Sequence, residues 1–180
     1  MLFAFAITGC SKPVPVLLRE AEAYRAKGET VSAIIQIKNA VQKAPDDPDT
    51  RLLAGTLYAN MGQVSEAEKE LRHALKLGAP WARVFPSLGT ALREMEKFQE
   101  ILDEFRGDDK LGSAASAEIA LLRGRALLGL GNTGRASTEF SLALREKPVG
   151  AKLGLAAAAL AEGNLASAEK LIVGAGSSSK

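Results

Sequence analysis

Tyr24-Arg25-Ala26-Lys27-Gly28-Glu29-Thr30-Val31-Ser32-Ala33 is answered one period later by Tyr58-Ala59-Asn60-Met61-Gly62-Gln63-Val64-Ser65-Glu66-Ala67. Tyr24 to Tyr58, Gly28 to Gly62, Ala33 to Ala67 and Ala40 to Ala74 are each 34 residues apart by subtraction. The offset carries on through Gly55 to Gly89, Ala67 to Ile101 and Leu71 to Phe105, and a slip of one residue brings Gly124 into the Gly89 slot. A fourth unit reads Gly124, Leu127, Gly131, Ala136, Phe140, Ala143 and Pro148; a fifth reads Leu155, Ala159, Gly163, Ala168 and Ile172.

A period of 34 residues, with small residues, an aromatic and a closing Pro at these places, resembles the tetratricopeptide repeat. The resemblance implies an all-α solenoid of about five helical hairpins wound into a right-handed superhelix. The residues supply physical reasons for the pattern. Ala33, Ala67, Ala136 and Ala168 let the second helix of a hairpin approach the first, where a larger side chain would overpack. Gly28, Gly62, Gly131 and Gly163 stand where first helices end and the chain turns through a left-handed cap. Pro45, Pro48, Pro80 and Pro148 fall between units, where Pro can open a helix and cannot continue one. Ten helices are expected, near 14–27, 30–43, 48–61, 64–77, 82–95, 98–106, 115–130, 133–146, 149–162 and 165–173. The corresponding units are 14–47, 48–81, 82–116, 117–148 and 149–173. The third is the weakest: Glu96 replaces the turn glycine and Gly107-Asp108-Asp109 interrupts its end, so its second helix should be short and loosely docked. Residues 174–180, Gly- and Ser-rich, read as a disordered tail.

Composition agrees. The chain of 180 residues is 47% hydrophobic and 24% charged, enough apolar content for a core, and its aromatic content of 5% suits packed helices better than a β-sandwich. The net charge of +2 is spread along the chain, with no basic patch for nucleic acid.

Cys10, the single cysteine, ends the apolar run Leu2-Phe3-Ala4-Phe5-Ala6-Ile7-Thr8-Gly9 and is followed by Ser11-Lys12-Pro13-Val14-Pro15. Ile7-Thr8-Gly9-Cys10 resembles a bacterial lipobox. The resemblance implies that residues 1–9 are a removed signal, that Cys10 is lipidated and that 10–16 form a spacer made extended by Pro13 and Pro15. Two or three acyl chains suffice for stable anchoring. Ser11 after the cysteine implies an outer-membrane destination, facing the periplasm. The other reading of Cys10 is a buried free thiol at the start of a cytosolic helix. No Lys or Arg precedes the apolar run, a departure from the usual positive n-region.

Within the repeat family, Arg25-Ala26-Lys27-Gly28-Glu29, Ala33-Ile34-Ile35-Gln36-Ile37-Lys38-Asn39-Ala40 and Ala67-Glu68-Lys69-Glu70-Leu71-Arg72-His73-Ala74-Leu75 are similar to lipoproteins of exosortase/PEP-CTERM systems. Those proteins accompany exopolysaccharide loci, which implies an envelope scaffold for a protein partner. An assembly factor for pili or outer-membrane proteins, and a regulatory domain of a cytosolic enzyme, are the other readings.

No catalytic set emerges. His73 is the single histidine, and neither a metal cluster, a phosphate loop nor a nucleophile with its base can be assembled. No cofactor and no small-molecule substrate are expected. Asp46-Asp47 and Asp108-Asp109 read as turn and cap residues. Trp81 is either a junction packing residue or an exposed anchor. By the family resemblance, first helices line a concave groove, where Glu22, Arg25, Thr56, Asn60, Arg83, Thr90, Arg93 and Arg125 would meet a protein partner. Leu18, Leu52, Leu121 and Leu153 would add apolar contacts to a groove that is mixed and mildly basic.

Overall fold

The computed structural model describes residues 12–106 and 112–176. Cys10, the signal segment and the loop containing Asp108 and Asp109 lie outside the described residues. Within them are ten helices and no strand: α1 Val14–Ala26, α2 Thr30–Lys43, α3 Pro48–Asn60, α4 Val64–Lys76, α5 Trp81–Glu94, α6 Phe98–Glu104, α7 Ser113–Gly129, α8 Thr133–Ala143, α9 Pro148–Ala161 and α10 Leu165–Gly176. They pair as α1/α2, α3/α4, α5/α6, α7/α8 and α9/α10, and α3, α5, α7 and α9 also pack on the hairpin before them.

The repeated small residues sit where the hairpins close. Ala33, Ala40, Ala67, Ala74, Ala136 and Ala143 have no exposed surface, and Ala168 almost none. Ile37, Leu71 and Phe140 of the same helices, and Phe105 just after α6, are fully buried; the buried residues form two clusters, one through the first three units into α7 and one across α7, α8 and α9, with half-buried Leu102 packed against both. Phe140 lies between two glycines: a Cβ added at Gly124 would come within 2.5 Å of its ring, and one at Gly154 within 2.4 Å. Gly124 belongs to the same hairpin and Gly154 to the next, so one ring fills the space that both helix backbones leave.

First helices end in the left-handed turn expected at Gly28, Gly62, Gly131 and Gly163, with φ between 71° and 77°. In the third unit Glu96 takes the same conformation, with φ of 56°. A side chain there crowds its own backbone by roughly 1–2 kcal/mol, partly offset by the greater freedom of glycine in the unfolded chain. Glu96→Gly is therefore expected to raise the unfolding free energy by about 1 kcal/mol, read as a higher urea midpoint with unchanged slope; a lower midpoint would contradict this.

α6 is short and, as expected, packs far less on its own partner α5 than the other second helices pack on theirs, but the neighbouring units hold it. Ile101 and Phe105 are fully buried, and the Phe98 ring lies against Gly129 of α7. Arg123 of α7 secures the end: its Nη1 donates to the carbonyls of Leu102 and Phe105, both at 3.1 Å, while its Nε donates to Glu139 at 2.8 Å. These bonds satisfy two of the carbonyls left open at a helix C-terminus. On the other side Arg72 of α4 donates to Glu100 at 2.9 Å and Glu104 at 3.0 Å, so α6 is clamped from both neighbouring units.

Two boundaries differ from the sequence reading. α1 begins at Val14, as the helix expected over 14–27 does, so the spacer expected over 10–16 ends before it: Pro15 falls in the first helical turn, where its missing N–H costs nothing. Pro13, before it, is extended. At the other end α10 continues through Gly174 and Ala175 to Gly176, which the expected tail had included. Ala175 is buried, and Lys152 Nζ donates to the Gly174 carbonyl at 2.7 Å, which ties the last turn to α9.

Glu68 joins α4 to the third unit by accepting from Lys97 at 2.7 Å, and it also accepts from Arg72 of its own helix at 2.8 Å. Burial pushes its carboxyl up, but these two hydrogen bonds prevail and hold it below its ordinary value of 4.5. Folding therefore favours ionised Glu68; this contribution is complete above about pH 4.5 and is lost as the pH falls below it. Glu68→Gln is expected to flatten the decline of the melting temperature between about pH 5 and 3, and an unchanged decline would contradict the assignment.

Candidate functional site

α1 and α3 lie side by side and their facing surfaces leave a trough of about 630 Å³. Its floor is apolar, formed by Val14, Leu18, Leu53 and Leu57, and its rim carries Arg19, Glu22, Asp49, Thr56 and Asn60. Leu53 is the large floor residue that meets solvent, at 46% exposure. Asp47 opens α3 as its N-cap, accepting from the Thr50 N–H at 2.8 Å and from the Thr50 hydroxyl. The Thr50 hydroxyl, then its N–H, hold the Asp47 carboxyl below its ordinary range.

The expected groove residues fall into two groups. Glu22, Thr56 and Asn60 line the α1/α3 trough. Arg25 stands beside it, bound to Glu22 by Nη2 and by Nε at 3.1 and 3.2 Å; this partner, first through its hydrogen bond and then its charge, lowers the Glu22 carboxyl. Arg83 of α5 reaches back to Asp49 at 2.7 Å. The Thr56 hydroxyl meets that of Ser87 at 3.2 Å, a second link from α3 to α5. Thr90, Arg93 and Arg125 come together in a smaller cleft of about 70 Å³ between α5 and α7, with Glu118. There the Thr90 hydroxyl donates to the Pro86 carbonyl at 2.9 Å and Arg93 pairs with Glu94, while Arg125 makes no ion pair or hydrogen bond among the described residues.

The groove is thus not uniformly mild and basic. The α1/α3 trough carries Glu22, Asp47 and Asp49 against Arg19, whereas the cations gather at α5/α7. The apolar contacts also shift by one residue. Leu52 points into the core at 4% exposure and Leu53 takes the groove position; the pair Leu52-Leu53 held the signal, but either could have satisfied it. Leu121 is buried under α9, and Leu18 is largely covered yet contributes to the floor. Leu153 is exposed, at the far end of the stack.

Trp81 is a packing residue within the third hairpin: its ring, in the first turn of α5, lies 5.0 Å from that of Phe105 and 6.4 Å from that of Phe85, centroid to centroid. His73 is half-buried in the last turn of α4. Among the described residues no cluster of three or more His, Cys, Asp or Glu is arranged to hold a metal ion, and no helix is long and apolar enough to cross a membrane.

Comparison with known proteins places this geometry. Residues 24–85 match the Tetratricopeptide repeat family. A curated relative, "Cellulose synthase operon protein C" of Xanthomonas axonopodis pv. citri (strain 306), is 29% identical over 138 residues, covering 73% of this chain; the chain spans 9% of that relative's length. Among solved structures, MamA protein superposes with a TM-score of 0.72 at 21% identity, covering 90% of this chain and 89% of its own. YrrB, described as a tetratricopeptide protein with an unusual peptide-binding site, gives 0.66 at 19% identity, covering 93% and 86%. A thermophilic tetratricopeptide protein of Thermus thermophilus, TTC0263, gives 0.69 at 18% identity, covering 91% and 90%. The periodic residues, the paired helices and these superpositions agree on one fold: the chain is a tetratricopeptide-type helical solenoid.

Proposed function

We propose that this chain is a non-catalytic scaffold that holds a segment of another protein in the trough between α1 and α3. The observation that carries the reading is the trough itself: an apolar floor of Val14, Leu18, Leu53 and Leu57 within a polar rim, on a face that the hairpins leave open. An amphipathic helix or extended segment would place apolar side chains over Leu53 and polar groups against Glu22, Thr56 and Asn60. The peptide-binding site in YrrB's description is consistent with such use of the fold.

The finer reading is an envelope lipoprotein tethered through Cys10 to the periplasmic side of the outer membrane, serving exopolysaccharide production of the exosortase/PEP-CTERM kind. Its support is the lipobox-like Ile7-Thr8-Gly9-Cys10, the resemblance of residues 25–40 and 67–75, and the likeness to a protein named for a cellulose synthase operon.

Two experiments test the parts separately. A photo-crosslinking amino acid at Leu53 should capture a specific envelope protein in a Gram-negative host, whereas the same probe at exposed Lys69 should not; equal capture at both would remove the groove reading. Globomycin-sensitive lipid labelling that is lost in Cys10→Ser would support the tether, and an unlabelled, unprocessed product would remove it.

A further inference from the structure

Outward positions repeat along the stack as faithfully as buried ones. In α2, Ala33, Ile37 and Ala40 have no exposed surface, and Val31 and Ile35 stand on the opposite side of the helix, 73% and 51% exposed. Their counterparts in the later second helices are Ser65 and Lys69, Gln99 and Asp103, Gly134 and Thr138, and Ala166 and Lys170, all of them exposed. In α4, α6 and α8 these places stay open with a hairpin on either side, so the exposure of Val31 and Ile35 owes nothing to their unit standing at one end. The first unit differs in residue type: it alone puts two large aliphatic side chains there.

Charge divides the same way. α2 carries Lys38 and Lys43 and no carboxylate, whereas α4, α6, α8 and α10 each carry at least one. Lys38 and Gln42 continue the stripe of Val31 and Ile35, at i, i+4, i+7 and i+11. Across α2 and α4 the exposed ionisable residues are Lys38, Lys43, Lys69 and Lys76 against Glu66, with Glu29 at the entry to α2. Lys38, Lys69 and Lys76 make no ion pair or hydrogen bond among the described residues. The C-terminal end of α2 is also held to the chain just after Cys10, because Lys43 Nζ donates to the Lys12 carbonyl at 2.8 Å.

We propose that the outward face of α2 rests on an anionic lipid surface. Aliphatic side chains on such a helix enter the acyl boundary, and ammonium groups on long stems reach the headgroup phosphates. Unpaired lysines beside Val31 and Ile35, on a helix without a carboxylate, complement that surface in both respects. The proposal takes its setting from the tether read at Cys10. A chain anchored there would lie with α2 on the bilayer and leave the trough, built on the first helices α1 and α3, uncovered. Its test omits Cys10, so failure of this proposal and failure of the tether are read separately.

The test uses the full chain with Cys10→Ser, which removes any acyl chain, and one nitrobenzoxadiazole label on Val31→Cys, Ile35→Cys or, in the same register, Thr138→Cys. On vesicles of phosphatidylcholine and phosphatidylglycerol the labels at 31 and 35 should shift to the blue and be quenched by nitroxide lipids, while the label at 138 stays in water. The lipid concentration for half-maximal shift of the Ile35→Cys label should rise at least about tenfold in Lys38→Glu, and likewise on phosphatidylcholine alone. Lys38 is exposed, so the melting temperature of Lys38→Glu should match the parent. Labels at 31 and 35 that stay in water would overturn the proposal and leave the face to a protein. A label at 138 quenched as strongly, or a response indifferent to Lys38→Glu, would overturn it too. So would a blue shift that grows with protein concentration in the absence of vesicles, since a second copy would then cover the face.

Discussion

Glu70→Ala should lower the unfolding free energy by about 3–5 kcal/mol, because it strands a buried guanidinium. Arg51 of α3 and Glu70 of α4 meet at 2.6 Å inside the second hairpin, with side chains about one-tenth exposed. Arg51 Nε also donates to the Pro45 carbonyl at 2.7 Å, which fastens the loop before α3. Neither ion would hold its place alone: each was taken out of water for the other. Removing the carboxylate leaves Arg51 with the Pro45 carbonyl as its remaining partner, and the loss is a large part of the roughly 5–15 kcal/mol that holds a domain folded. The pair is not the most stable filling of that space. Replacing both members together, Arg51→Met with Glu70→Leu, is expected to recover most of the loss or exceed the parent. Urea unfolding of the two variants checks the claim, and a double variant no more stable than Glu70→Ala would contradict it. The Tyr58 hydroxyl nearby offers an internal reporter. Burial first, then the charges of Glu70 and Glu66, push its ionisation above the ordinary value of 10, so Glu70→Ala should bring the phenol's titration down while the fold persists.

Phe140→Ala should cost about 3–5 kcal/mol, at the upper end for a buried aromatic, because its site cannot collapse. The ring rests on Gly124 and Gly154, whose missing side chains are what make room for it. Without the ring both helices face a void with no side chain of their own to fill it. The two glycines lie in different hairpins, so the loss is shared by the fold of the fourth unit and the attachment of the fifth. In a stack whose units touch mainly their neighbours, weakening one junction separates the parts on either side. Hydrogen exchange should therefore rise in α9 and α10 more than in α3 and α4. Uniform acceleration along the chain would contradict this account of the junction.

The helices were legible where one residue type at one spacing does one job. Ala33, Ala67 and Ala136 mark close helix approach, and Gly28, Gly62 and Gly131 mark a left-handed turn, so nine of the ten helix starts fall within one residue of expectation and α7 within two. The shortness of α6 followed from Glu96 and the interrupted loop. Its hold by the neighbouring units did not, since the guanidinium of Arg123 reaches from another unit, and a long side chain's destination is not written in its spacing. The same is true of Arg51 and Glu70, 19 residues apart, whose spacing gives no sign that they meet until the hairpin closes. In the groove, Leu52 and Leu53 could exchange roles with a small rotation of α3, and packing of the neighbouring hairpin decides which is inside. The tail residues Gly174 and Gly176 have poor helix propensity, and the bond from Lys152 and the burial of Ala175 override it.

The measurement that bears most directly on the scaffold reading is selection of peptides from a displayed random library on the folded chain, followed by titration of the enriched sequences against Leu53→Glu. Leu53 is partly solvent-exposed, so the substitution should leave the melting temperature unchanged. The account predicts enriched peptides with apolar residues at helical or alternating spacing and affinity reduced at least about tenfold by Leu53→Glu. Peptides that bind the variant as well as the parent, or a library that yields no enrichment, would contradict the assignment of the α1/α3 trough as the partner site.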